Sequence, residues 1–337
     1  MANTLLEVKN LKTYFHLDEG TLKAVDGVSF TVKERSTLGL IGESGCGKSV
    51  TARSILRLID PPGKVVGGSI PFNMDGQIVD LVALDPYGDE IRDIRGREIS
   101  MIFQEPMRSL SPVHTIGEQI TEMILLHRTE DRNEAKEIAL EMLAQVGMAN
   151  PHLRFNSYPH QLSGGLCQRA MIAMALSCHP SLLIADEPTT ALDVTVQAQI
   201  IDLMKRLQEQ SSMSILYITH DLGVVAEVCD YVAVMYLGRI VEQAPTKELF
   251  KSPLHPYTER LLRSVPRLGK RAGVRLETIQ GTVPLPLDPP RQCGFYSRCP
   301  EAKAGKCDRE IPALVEVAEG HSVRCFLHSG GSEAENE

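Results

Sequence analysis

One octapeptide constrains this chain more than any other feature. Gly42-Glu43-Ser44-Gly45-Cys46-Gly47-Lys48-Ser49 fits the pattern G-x-x-x-x-G-K-[ST]. It follows a short apolar run, Leu38-Gly39-Leu40-Ile41, and opens a segment from Lys48 to Ile59 that reads as a helix stopped by Pro61-Pro62. Strand, glycine-rich turn and helix, in that order, give the motif its chemistry. The glycines let the backbone curl until successive N–H groups from Gly45 to Ser49 point at one phosphate, and the helix N-terminus adds partial positive charge. Lys48 is then placed to reach β- and γ-phosphate oxygens, and the Ser49 hydroxyl to meet a Mg2+ ion that bridges them. A turn that merely joined a strand to a helix would give no reason for the Lys-Ser pair.

Two further apolar strands, Ser181 to Ala185 and Ser214 to Ile218, flank a helix whose apolar stripe runs Val196, Ile200, Leu203, Met204, Leu207. With the strand before the octapeptide they predict a parallel α/β layer. The first of them runs into Asp186-Glu187, two carboxylates at the carboxyl edge, where open parallel sheets bind ligands. Asp186 suits Mg2+ held through water, and Glu187 suits polarising an attacking water. Alternation over Leu5 to Leu11 and Val25 to Val32, with a turn-forming Asp75-Gly76, makes the early part partly antiparallel. Residues from about 113 to 178 read as a helical insertion, with Ala135, Ile138, Ala139, Met142, Leu143 and Val146 at helical spacing.

Composition narrows the class. The chain has 337 residues, enough at about 150 per domain for one large or two ordinary domains. A 43% apolar and 23% charged composition excludes disordered, collagen-like and disulfide-scaffold chains. No apolar stretch approaches the roughly 18 to 20 residues of a membrane span, and charges break residues 1–30, so neither a span nor a secretory signal is expected. A net charge of −8 argues against nucleic acid as a partner.

Leu162-Ser163-Gly164-Gly165-Leu166 precedes the Leu182 to Glu187 strand by the interval seen in ATP-binding-cassette ATPases, and the chain resembles that superfamily at further points. These are Gln104 in Ile102-Phe103-Gln104-Glu105-Pro106, Ala191-Leu192-Asp193, and His220 in Tyr217-Ile218-Thr219-His220-Asp221. The resemblance covers about residues 4–250. It implies an α/β P-loop NTPase core of the RecA-like kind, an antiparallel β subdomain and a helical subdomain at about 105–178.

It also implies ATP hydrolysis, with Glu187 as base, His220 on the γ-phosphate, and Lys48 and Gln104 completing the catalytic set. Nucleotide contacts fall on Gly42, Ser44, Gly45, Cys46, Gly47, Lys48, Ser49 and Val50, with Phe15 or Tyr14 stacked on adenine. Mg2+ falls to Ser49, Gln104 and Asp186. Ser163, Gly164 and Gly165 form a second anion site that faces the γ-phosphate of a different subunit, with Asp193 at the seam, so ATP joins two cassettes. Leu166 stands where Gln is frequent, and Val50 where Thr is frequent; neither change removes a catalytic group.

Beyond about residue 250 prolines crowd the chain, and four of its eight cysteines fall there, which reads as a separate extension over 251–330 before a frayed tail at 331–337. Leu254-His255-Pro256-Tyr257-Thr258, continuing to Leu261-Leu262 and Val265-Pro266, resembles the segment that follows the cassette in ATP-binding subunits of oligopeptide and dipeptide permeases. That resemblance implies a [4Fe-4S] cluster on Cys293, Cys299, Cys307 and Cys325. Spacing alone leaves iron-sulfur, zinc and unbound or disulfide-bonded thiols open, since no interval is the C-x2-C of common zinc sites. Cys46, Cys167, Cys178 and Cys229 read as small buried side chains.

The implied partners are a second cassette subunit, identical or paralogous, two integral membrane permease subunits, and indirectly an extracytoplasmic solute-binding protein. The chain itself would lie peripherally on the cytoplasmic face of the inner membrane. Relatives of this branch also move nickel or oligosaccharides. Soluble cassette ATPases that act on nucleic acid or ribosomes usually carry two cassettes or a long coiled-coil insertion, and this chain has neither.

Overall fold

In the computed structural model, which describes residues 3–190, 192–264, 279 and 281–328, the chain forms two compact units. The first comprises Met1–Leu6, Val32–Thr37 and Pro71–Ile218, and the second Glu7–Thr31, Leu38–Ile70 and Thr219–Glu337. Ala191, Val265-Pro266 and the tail at 331–337 lie outside the described residues.

The chain opens on two long strands, β1 (Thr4–Leu17) and β2 (Gly20–Lys33), followed by β3 (Thr37–Ile41), α1 (Lys48–Ile55) and β4 (Gly63–Ser69). β1 neighbours β2 and pairs antiparallel with β4, which sets Phe15 opposite Gly63. α1 stops a turn short of the expected Ile59. Arg57 takes φ +56°, and the Leu58 N–H bonds back to the Arg53 carbonyl, a left-handed cap closed by a non-glycine residue.

Next come β5 (Pro71–Met74) and β6 (Gln77–Asp80), a hairpin turned by Asp75 and Gly76 at φ +50° and +92°, as the Asp-Gly pair predicts. They are followed by α2 (Asp89–Ile94), β7 (Ile99–Ile102), α3 (Pro106–Ser109), α4 (Ile116–His127), α5 (Arg132–Gln145) and α6 (Pro151–Phe155). Then come α7 (Gly164–Leu176), β8 (Leu182–Asp186), α8 (Val194–Ser211) and β9 (Ser214–Thr219). In the first unit β7, β8 and β9 run parallel, with Ile99 opposite Leu182 and Leu182 opposite Ser214. Every residue of β8 is buried, as a parallel strand covered on both faces requires. α4 begins with a reciprocal capping box between Thr115 and Glu118. Ala135, Ala139, Met142, Leu143 and Val146 are buried along α5 and its end, whereas Ile138 is only half-buried.

The remaining elements are α9 (Leu222–Val228), β10 (Tyr231–Tyr236), β11 (Arg239–Pro245), α10 (Thr246–Lys251), α11 (Pro256–Arg263), β12 (Val315–Ala318) and β13 (His321–Val323). In the second unit β3 lies parallel to β10, β10 and β11 form a hairpin, and β13 pairs with β11. The Cys-rich extension is thus not set apart. β13 continues the sheet, the Lys23 N–H reaches the Pro286 carbonyl at 3.0 Å, and the Asp288 N–H reaches the Thr21 carbonyl at 3.0 Å.

Tyr236, Tyr257 and Phe295 pack as a fully buried cluster with ring centroids 4.7 to 5.4 Å apart. Each such ring contributes roughly 1.5–3 kcal/mol of burial, which ties α11 and the extension to β10. Buried Glu242 accepts from the Leu254 and His255 N–H groups and from His321 Nε2, so both of its carboxyl oxygens are hydrogen-bonded.

Candidate nucleotide site

β3 carries the chain into the octapeptide within the second unit. Gly42, Gly45 and Gly47 adopt φ +152°, +80° and +104°. A Cβ at Gly42 would collide with the Met235 carbonyl oxygen, and one at Gly47 with the Ala24 carbonyl oxygen; at Gly45 there is open space, and the dihedral alone calls for glycine. Gly47 caps α1 without a side-chain bond, and no acid lies in the first turn. A helix end of that kind presents N–H groups to an anion.

Lys48 is buried, and its Nζ donates to the Gly42 carbonyl at 2.8 Å and the Glu43 carbonyl at 3.1 Å. Ser44 and Gly45 are exposed at the lip, while Ser49 and Val50 are half-buried. Cys46 lies beneath the loop, and burial pushes its thiol above the ordinary range, which makes it a packing residue.

Glu43 is held at several points that sequence reasoning missed. Its N–H donates to the Tyr257 hydroxyl at 2.9 Å, and its carboxylate takes two bonds from Arg298, at 2.7 and 3.0 Å. Arg298 also donates to the Tyr236 hydroxyl at 3.2 Å and the Gly281 carbonyl at 3.2 Å. The bonds to Glu43 hold the guanidinium above its ordinary pKa. The only sequence hint is the place of Arg298 beside Cys299, because its partner lies 255 residues away.

The two candidate aromatics differ. The Tyr14 hydroxyl donates to Asp26 at 2.6 Å, and Asp26 also pairs with Arg239. Burial, together with the bond to Asp26, pushes Tyr14 up to about 12. Phe15 is half-buried, with its ring over Gly63. His220 is exposed immediately after β9, and Asp221 next to it caps α9 through the Gly223 and Val224 N–H groups.

In the first unit Asp186 is buried at the end of β8. Glu187 follows at φ +47°, and its Oε2 accepts from Gln104 Nε2 at 3.1 Å and from the Thr190 hydroxyl at 2.9 Å. Gln104 and Glu187, 83 residues apart, therefore meet as one group. Ser163 caps α7, and Gly164 and Gly165 are its first residues. A Cβ at Gly165 would lie 2.9 Å from Val196 Cγ1, so glycine permits the approach of α8. Asp193 caps α8, with its Oδ1 accepting from the Thr195 and Val196 N–H groups at 3.1 and 3.0 Å.

Cys293, Cys299, Cys307 and Cys325 line one small cavity together with Tyr296 and Phe326. Every cysteine is a free thiol, which removes the disulfide alternative among the described residues. Burial pushes Cys299 up to about 11 and also lifts Cys293 and Cys325, which disfavours their thiolate forms. Among the described residues no group of three or more His, Cys, Asp or Glu side chains is arranged to hold a metal ion. A donor set of four thiols suits soft metal centres. His321 and His328 are engaged elsewhere, with Glu242 and the Leu254 carbonyl.

The ABC transporter family model matches residues 25–190, and that of the oligopeptide/dipeptide transporter C-terminal region matches residues 241–307. The chain is 51% identical over 326 residues to the "probable peptide ABC transporter ATP-binding protein y4tR" of Sinorhizobium fredii, covering 96% of this chain and 95% of that one. It is 50% identical over 327 residues to the oligopeptide transport ATP-binding protein AppD of Bacillus subtilis, covering 97% of each. Among solved structures, the dimeric ATP-binding cassette MJ0796 in a post-hydrolysis state with ADP and phosphate bound superposes with a TM-score of 0.63 at 28% identity. That match spans 72% of this chain and 98% of the other. With likeness running through both the nucleotide-loop half and the Cys-bearing extension, the chain belongs to the ATP-binding proteins of ABC transporters, in the branch that carries the oligopeptide/dipeptide transporter C-terminal region.

Proposed function

We propose that this chain is the ATP-hydrolysing subunit of a peptide importer. It works as one of two paired cassettes beneath two integral membrane permease subunits, which an extracytoplasmic solute-binding protein supplies. The cassette takes residues 4–250, with its helical subdomain at about 105–178, and the extension takes 251–330. The observation that carries the reading is the steric build of the octapeptide at the β3–α1 turn, in a chain similar over 96% of its length to a peptide-transport ATP-binding protein. No helix among the described residues is long and apolar enough to cross a membrane, and the permease subunits hold the chain at the cytoplasmic face of the inner membrane.

The N–H groups from Gly45 to Ser49 and the start of α1 receive the phosphates. Lys48 exchanges its bonds to the loop carbonyls for bonds to β- and γ-phosphate oxygens. Gly42, Ser44, Cys46, Gly47 and Val50 give the close approach around it, and Phe15 stacks on adenine. Ser49, Gln104 and Asp186 offer the oxygen donors that would hold Mg2+, which would supply positive charge to offset that of the phosphates.

Glu187 takes a proton from the attacking water while the bond between the γ-phosphorus and the β–γ bridging oxygen breaks, leaving ADP and phosphate. The amide of Gln104 and the hydroxyl of Thr190 orient that carboxylate. His220 donates to the γ-phosphate and holds the water. Ser163, Gly164 and Gly165 receive the γ-phosphate of the partner cassette, with Asp193 at that seam, so ATP closes the pair and hydrolysis opens it. Cys293, Cys299, Cys307 and Cys325 are the residues that would hold a [4Fe-4S] cluster, which would brace the extension.

Glu187→Gln tests this reading. ATP turnover in the purified complex is expected to fall at least about 100-fold, while MgATP still binds and drives the cassettes into a lasting dimer. Turnover at the parent rate removes Glu187 as the base. Copurification with ribosomes or nucleic acid, in place of membrane subunits, rejects the transport role.

A further inference from the structure

Glu43 is the second residue of the octapeptide and the one acidic side chain in it. A carboxylate there repels the triphosphate for which the loop is built. We propose that Arg298 and Tyr257 are positioning residues for the nucleotide loop: Arg298 neutralises and fixes the Glu43 carboxylate, while Tyr257 fixes the Glu43 main chain, so the loop stands ready for MgATP before it binds. The proposal rests on the reading of residues 42–49 as the phosphate site.

Five bonds of Glu43 carry the inference. Its carboxylate receives the fork of Arg298 through two parallel bonds, the geometry in which a guanidinium holds a carboxylate most firmly. The Arg298 side chain is only 5% exposed and that of Glu43 27%, so solvent screens the pair weakly. Its N–H ends on the hydroxyl of Tyr257, a fully buried ring locked between Tyr236 and Phe295. Its carbonyl accepts from Lys48 Nζ and from the Cys46 N–H at 3.3 Å. A path of direct bonds therefore runs from the extension through Glu43 to the lysine proposed to meet the phosphates. Arg298 closes the 3-10 turn Tyr296–Arg298, and Cys299 follows it, so the fold around the thiol cavity sets where the guanidinium reaches.

The test measures the MgATP KM and kcat of the assembled transporter, and the Kd of a fluorescent ATP analogue, with thermal midpoints alongside. Arg298→Ala is expected to raise KM and Kd about tenfold or more, with kcat changed less than about threefold, because the loop then carries an uncompensated carboxylate. Arg298→Lys recovers part of the loss, since it keeps the charge and forfeits the fork. Adding Glu43→Gln to Arg298→Ala is expected to recover most of the affinity; a merely structural arginine would show no such rescue. Tyr257→Phe raises KM a few-fold.

An unchanged KM in Arg298→Ala overturns the proposal, and so does a double variant that binds as weakly as Arg298→Ala alone. Should Arg298→Ala fail to fold, Arg298→Lys and the double variant carry the same comparison. Lys48→Ala separates the two readings: if it binds MgATP like the parent, the phosphate site itself is misplaced, whatever Arg298 does.

Discussion

At the head of α11, His255 accepts the Tyr257 N–H on its Nδ1 at 3.0 Å, and its own backbone N–H goes to Glu242. Burial, with His328 nearby as a second cause, pushes its pKa down to about 3. An unfolded histidine titrates near 6.5, so as the pH falls the unfolded chain takes up the proton first. The stability tied to the neutral ring is complete above about 6.5 and is lost as the pH drops toward 3. At about 1.4 kcal/mol per pH unit, the loss reaches roughly 2 kcal/mol at pH 5. His255→Asn keeps an acceptor at the cap and removes the titration. Its melting temperature should therefore fall less steeply between pH 7 and pH 5 than that of the parent, and parallel curves would reject this assignment.

Asp193 caps α8 and, in the reading proposed above, also lies at the seam between two cassettes. Its two bonds to the first turn of α8 predict that Asp193→Ala costs about 1 kcal/mol of stability, read as a lowered melting temperature. Asp193→Ser keeps the cap. A seam role then appears as weaker MgATP-driven association at unchanged melting temperature, and unaltered association leaves Asp193 with the cap alone. Elements of this kind were legible where their signal is local. The octapeptide, the Asp75-Gly76 turn and the Ser163-Gly164-Gly165 start of α7 each place cause and effect within a few residues. The early end of α1 was not, because Arg57 enters the left-handed region without the glycine that would announce it. β12 and β13 were hidden as well: four and three residues long, they owe their strand character to pairing, β13 with the edge of β11 and β12 with β13. The bond between Gln104 and Glu187 joined two residues already singled out, whereas the pairing of Glu43 with Arg298 has no period, cap or turn to reveal it.

At the scale of the whole chain, the nucleotide loop and the Cys-bearing extension belong to the same unit, although some 250 residues separate Glu43 from Cys293. The extension is rich in proline and short in regular structure, so its own strands supply little of its rigidity. Backbone bonds to β2 and β11 hold its edges, and the four cysteines line one small cavity. If a [4Fe-4S] cluster occupies that cavity, protein purified without oxygen should be brown and contain about four iron and four sulfide per chain. Cys307→Ser should lose iron and sulfide together and lower the melting temperature, since metal binding to such a site is folding free energy. Zinc at one per chain without iron would assign the cavity to a single tetrahedral ion, and four thiols free to react with a mild alkylating agent in the native protein would leave it without metal. Arg298, one residue before Cys299, then gives the second consequence: loss of the centre should weaken MgATP binding in the parent more than in Arg298→Ala, where the link to Glu43 is already cut.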